Sequence, residues 1–162
     1  MFGTEQSTAP GGTHAAADRV EEGRTWITRR DVHVDRMASA WLIRRFIDPG
    51  ARFKFVAPRG YQPLAGELRF DMLDAEYTHV GERCTFQVLL DRFGATDPAL
   101  AAIGEIVRDI DCKDSKYGRA ETPGFAAMIN AIAETVPDDE DRLARSTSLF
   151  EGLLTHFGTR RP

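Results

Sequence analysis

The chain has 162 residues and is 42% hydrophobic, enough for one domain of ordinary size with a core of its own. Its net charge of -4 gives no electrostatic reason to expect nucleic acid, no apolar run is long enough to cross a membrane, and the first residues lack the apolar stretch of a secretory signal. Two cysteines, Cys84 and Cys112, make no disulfide framework, so the composition reads as a reduced, cytoplasmic protein.

Residues 1–23 are rich in Gly, Ala, Thr and charge and hold few large apolar side chains, which predicts a disordered tail whose last few residues can be helical. The ordered domain is expected over residues 24–162, opening with a short strand in TWITRR. A helix follows from about Asp35 to Ile47, with Asp35 as its cap and Met37, Ala40, Trp41 and Arg44 on one face. Asp48-Pro49-Gly50 stops it. ARFKFVA alternates as a half-buried strand, Pro58 to Gly66 forms a loop, and LRFDMLDA is a second strand after that loop.

Beyond the loop Glu76 to Arg83 the pattern becomes helical. CTFQVLLDRFG is a short helix ending at Gly94, and Asp97-Pro98 opens a longer one with a stripe of Leu100, Ile103, Val107 and Ile110. Thr122-Pro123 repeats that start signal, and Asp138 with Asp141 opens the last helix. The sum is an α+β fold, a predominantly helical single domain with two or three short strands and about five helices.

Three groups of polar residues stand out. His33, Asp35 and Arg36 lie at the start of the first helix, where they form either a cap with surface charges or an anion site in which the Arg36 fork grips an oxyanion, Asp35 holds the arginine and His33 is a ligand or proton donor. His79 lies in a loop just before Cys84 and Gln87, which begin a helix. A thiol at such a place, next to Arg83, is a candidate redox thiol or metal ligand, or simply a small buried residue. Asp109, Asp111 and Asp114 crowd a helix C-terminus, where the macrodipole disfavours carboxylates, so a cation should offset them: a nearby Lys or Arg, or a metal. His79 with Asp111 and Asp114 would suit a divalent metal such as Zn, Mn or Fe. There is no CxxC pair, HExxH, GxGxxG, P-loop or GxSxG.

The blocks VDRMASAWLIRRFIDPGARFKFV, FDMLDAEYTHVGERCTFQVLLDRFG and DPALAAIGEIVRDIDCKD, with the late PDDEDRL…LFEGLL, resemble the C-terminal domain of ChrB-type chromate-resistance proteins, from about Trp26 to Phe157. The resemblance implies a stand-alone form of a module that, in longer members, accompanies an N-terminal domain in chromate-responsive regulators. Similar modules beside sulfurtransferase-like domains hint at redox or sulfur chemistry. Asp35, Arg36, His79, Cys84, Asp111 and Asp114 match the family pattern. Two positions depart from it. Gln87 stands where the pattern commonly has Glu in CTFE, and Arg108 where it has His in IVHDID. If those positions ligate a metal in relatives, this chain binds it weakly or not at all, with Arg108 filling the cation's space.

The leading expectation is a chromate-resistance or stress-response module that senses or handles a small oxyanion or a metal ion. The alternatives are a metal-dependent or thiol-dependent enzyme, chromate reduction for example, and a degenerate interaction module without chemistry. Direct DNA binding and membrane association are not expected of an acidic chain lacking the extra domain.

Overall fold

A computed structural model describes residues 16–158. Their elements run β1 (Thr25–Arg29), α1 (Val34–Leu42), a π-helical turn (Ile43–Ile47), β2 (Arg52–Val56), β3 (Leu68–Arg69), α2 (Thr85–Arg92), α3 (Pro98–Cys112), α4 (Thr122–Thr135) and α5 (Asp139–Gly158). The expected α+β fold is therefore present, with three short strands and five α-helices in one domain. No helix among the described residues is long and apolar enough to cross a membrane.

The sheet is parallel with order β2-β1-β3, so the first strand is the central one. β1 pairs along its whole length with β2, from Thr25 opposite Arg52 to Arg29 opposite Val56. β3 adds only Leu68 and Arg69, paired with Trp26 and Ile27. The longer strand read in LRFDMLDA stops early because Asp71 and Asp74 take left-handed φ values of 47° and 59°, which end extended backbone.

α1 is central to the helical part, packing against α2, α3 and α5. All of its residues but Arg36 are buried, so it behaves as an internal helix rather than an amphipathic surface one. Trp41 stacks between Phe86 of α2 and Phe150 of α5, with ring centroids 6.4 and 5.4 Å away. The expected helix to Ile47 divides at Leu42, where the hydrogen bonding widens; Asp48 N–H donates to Ile43 O at 2.7 Å.

Asp48 ends that turn and holds the entry of the chain. Its carboxylate accepts from Gly23 N–H (2.6 Å), Arg24 N–H (2.9 Å) and the indole N–H of the fully buried Trp26 (3.0 Å). Residues 18–23, which composition assigns to the tail, lie against the domain: Asp18 pairs with Arg92 at 2.6 Å and accepts from the Tyr77 hydroxyl at 3.2 Å. The earlier part of that segment, residues 1–15, lies outside the described residues.

Asp97 caps α3 through Ala99 N–H at 2.8 Å, with Pro98 at the first position, as the motif predicts. Thr122 falls inside the first turn of α4 rather than before it, with Glu121 as the preceding residue.

Candidate functional site

Four acidic or imidazole side chains from four segments meet beyond the C-terminal ends of β1 and β3, the end of a parallel sheet where ligands usually bind. Asp35 comes from the first turn of α1, Asp71 from the bend after β3, His79 from the loop before α2, and Asp111 from the last turn of α3. His79 Nε2 lies 3.0 Å from Asp35 Oδ2, 3.3 Å from Asp111 Oδ2 and 3.4 Å from Asp71 Oδ1.

Local structure explains each position. The sequence assigns Asp35 as the cap of α1, but that place belongs to His33, which makes no side-chain capping bond. Asp35, one residue into the helix and 1% exposed, reaches across to cap α2 instead. Its oxygens accept from Thr85 N–H and Phe86 N–H, both at 2.9 Å, and Ser39 Oγ lies 3.5 Å away. A carboxylate at a helix N-terminus is favoured by the free N–H groups and the dipole, which offsets part of the burial cost. Asp71 is aimed inward by its left-handed φ, an affordable conformation for Asp. Thr85 Oγ1 donates to it at 3.0 Å, and Arg36 Nε lies 3.4 Å from Asp71 Oδ2.

The electrostatics follow from packing carboxylates together. Burial drives the Asp35 pKa upward against the hydrogen bond from His79, with the Asp71 charge adding to the rise. Burial, then the charges of Asp35 and Asp71, push Asp111 up to about 6. Hydrogen bonds to Asp35 and Asp71 raise His79 to about 10, so its imidazole is protonated at neutral pH and acts as the cation of the cluster.

The donor set fits a metal ion. One ligand atom each from Asp35, Asp71 and His79 lies within 4.8 Å of the others, and Asp111 faces the same imidazole nitrogen. Ligands at about 2.1 Å from one ion at right angles are about 3 Å apart, close to the separations seen. Three carboxylates with one imidazole suit a hard to borderline divalent cation such as Mn, Fe or Zn. The oxygens are also held from behind by backbone N–H groups, the Thr85 hydroxyl and Arg36, as metal-binding carboxylates usually are.

The remaining residues singled out from the sequence sit elsewhere or play other parts. Asp114 pairs with Arg108, and no ion pair joins it to His79 among the described residues. Arg108 also meets Asp109 at 3.4 Å and donates to Glu82 O at 3.1 Å, so it neutralises the helix end rather than occupying the carboxylate cluster. Gln87 Oε1 accepts from Cys84 N–H at 3.3 Å, inside the first turn of α2. Cys84 is fully buried, and burial with the nearby Asp35 charge pushes its thiol far up. The Gln87 N–H at the start of α2 bonds the thiol and favours its charge, but burial and the Asp35 carboxylate on the neighbouring N–H groups outweigh it. His33 meets Asn130 instead, with Nε2 2.9 Å from Asn130 Oδ1.

Two further residues belong to this neighbourhood that the sequence patterns do not single out. Asp71 looked like one side of a strand; its signal was an acid between Phe70 and Met72 at a strand's carboxyl end. Arg29, the last residue of β1, lies close enough to Asp111 to favour its charge, and its buried Nε has no hydrogen-bond partner among the described residues.

Comparison with known proteins places the chain. The model of the ChrB C-terminal domain matches residues 26–157. Protein ChrB of Cupriavidus metallidurans is 37% identical over 161 residues, which cover 94% of this chain and 49% of that protein. The chain thus spans about half the length of this curated relative. No solved structure matches it. With carboxylates, imidazole and flanking arginines gathered inside the matched region, the chain belongs to the family of ChrB C-terminal domains.

Proposed function

We propose that the chain is a chromate-resistance module whose working part is a divalent-metal site formed by Asp35, Asp71, His79 and Asp111. The carrying observation is that three carboxylates from separate elements face one imidazole nitrogen at 3.0–3.4 Å. Such a gathering of like charges is costly unless a cation neutralises it, and a protonated His79 does this only in part. When bound, a metal would act as a Lewis acid toward an oxyanion. Asp35, Asp71 and Asp111 supply hard oxygen ligands, and His79 gives up its proton to become the nitrogen ligand. Reduction by the Cys84 thiol finds no support, because that side chain is fully buried.

A second reading is favoured by Arg29. Its unpartnered Nε and the protonated His79 would seat an oxyanion directly, without a metal. Calorimetric titration of chelator-treated protein separates the two. The metal reading expects one Mn(II) or Zn(II) per chain, with Asp71→Asn weakening binding about tenfold or more. Absence of heat with either ion, or unchanged binding by the variant, overturns it. Heat from chromate or sulfate in metal-free protein, abolished by Arg29→Gln, would establish the second reading instead.

A further inference from the structure

The three strands run parallel, so their N-terminal ends gather at one edge of the sheet, opposite the edge that carries the carboxylate cluster. A cleft of about 340 Å³ opens there. Arg24 stands just before β1, Arg52 opens β2, and Gly66 and Glu67 lead into β3. Arg52 N–H donates to Arg24 O at 3.0 Å, which sets the backbones of the two arginines side by side.

Each guanidinium is fastened through one group and open through the rest. Arg24 Nε donates to Gly66 O at 2.7 Å, and Arg52 Nη2 donates to Gly23 O at 3.0 Å. These bonds hold the planar forks in place and leave most of their N–H donors unspent. Both carbonyls belong to glycines of the cleft with left-handed φ, 84° at Gly23 and 82° at Gly66, a backbone that a side chain would strain. No ion pair joins Arg24 or Arg52 to an acid among the described residues. Glu67, an acid of the cleft, is committed elsewhere: its Oε1 accepts from Leu64 N–H at 2.7 Å and from the Tyr61 hydroxyl, and Lys54 Nζ lies 3.7 Å from its Oε2. Glu21, the other acid, is exposed and makes no bond among the described residues.

We propose that this cleft binds a tetrahedral oxyanion, phosphate or sulfate, free or as the head of a small polar molecule. Two fastened guanidinium forks in one cleft offer donors to more than one oxygen of such a group, the recognition for which arginine is best suited. Glycine, alanine, threonine and charged residues make the lining, with no aromatic or long apolar side chain, so any body attached to the head is polar. A volume of 340 Å³ is at the small end of small-molecule sites. The cleft shares no residue with Asp35, Asp71, His79 and Asp111, so its ligand binds whether or not a metal occupies that cluster.

The test is an NMR titration of 15N-labelled protein with inorganic phosphate, ribose 5-phosphate and uncharged ribose, at ionic strength matched with sodium chloride. Both phosphates should shift the amide signals of Gly23, Arg24, Arg52 and Gly66 and saturate in the millimolar range, while ribose leaves them unmoved. Equal affinity for the two phosphates assigns the cleft to the head alone, and tighter binding of the ester adds the body. Arg52→Gln should weaken binding about tenfold. Its spectral dispersion checks that the variant is folded. Glu21→Gln touches nothing in the fold, so a purely structural role for the arginines predicts no effect. Loss of the opposing charge at the site should instead tighten phosphate binding about threefold. Absence of shifts at these amides, equal shifts with ribose or with added sodium chloride, or affinity unchanged in Glu21→Gln and in folded Arg52→Gln overturns the proposal.

Discussion

The imidazole of His79, the nitrogen ligand of the proposed metal site, faces three carboxylates in the metal-free chain. Its folded pKa of about 10 lies above the ordinary 6.5, so its contribution to stability is full below 6.5 and is lost as pH rises through 10. Asp111, raised from 3.8 to about 6, follows the same sign: its contribution is present below 3.8 and fades as pH rises through 6. Metal-free protein is therefore expected to melt at progressively lower temperature as pH rises from 6.5 towards 10. His79→Ala should flatten that slope, and a thermal-denaturation series in both proteins checks it. Persistence of the full slope in the variant would remove His79 as its source. At this scale the sequence was partly legible. His79 and Asp111 attract notice as a loop imidazole and as a carboxylate set against a helix dipole. Local sequence marks Asp35 as a cap but of the wrong helix, because a cap acting across 50 positions leaves no local spacing to read. Asp71 escaped because its left-handed backbone is decided by tertiary packing, not by the alternation around it.

Among the elements, the helices were the most legible: α2, α3 and α5 follow their apolar periods and start signals closely. What periodicity hides is how α1 ends. The wide turn over Ile43–Ile47 leads into the fully buried Asp48, whose carboxylate receives three N–H donors from the β1 side of the sheet. Burial pushes the Asp48 pKa up, but the bonds from Gly23, Trp26 and Arg24 outweigh it and the net direction is down. Its contribution is thus present above the ordinary 3.8 and lost as pH falls below it. Asp48→Ala leaves the indole N–H of buried Trp26 without its partner and should cost about 2–4 kcal/mol in urea unfolding. A loss below about 0.5 kcal/mol, the level of an ordinary surface change, would show that the clamp is not holding the sheet to α1.

For the whole molecule, a ligand that binds only the folded chain raises its stability by mass action. A divalent ion at one hundred times its dissociation constant contributes about 2.7 kcal/mol, which for a chain of this size raises the melting temperature by about 5–10 °C. Scanning calorimetry with Mn(II) or Zn(II) should show this rise in the natural sequence and lose it in Asp71→Asn. An equal rise in both would place the ion elsewhere. The sheet order β2-β1-β3 has a consequence of another kind. The central strand is made first, yet both of its partners are made later, the second ending at Arg69. During synthesis β1 has no strand to join until residues 52–56 emerge, and the acidic cluster cannot close until Asp111 has followed. Chain closure over these separations is slower than helix formation, so the helices are expected to form first and the acidic cluster last.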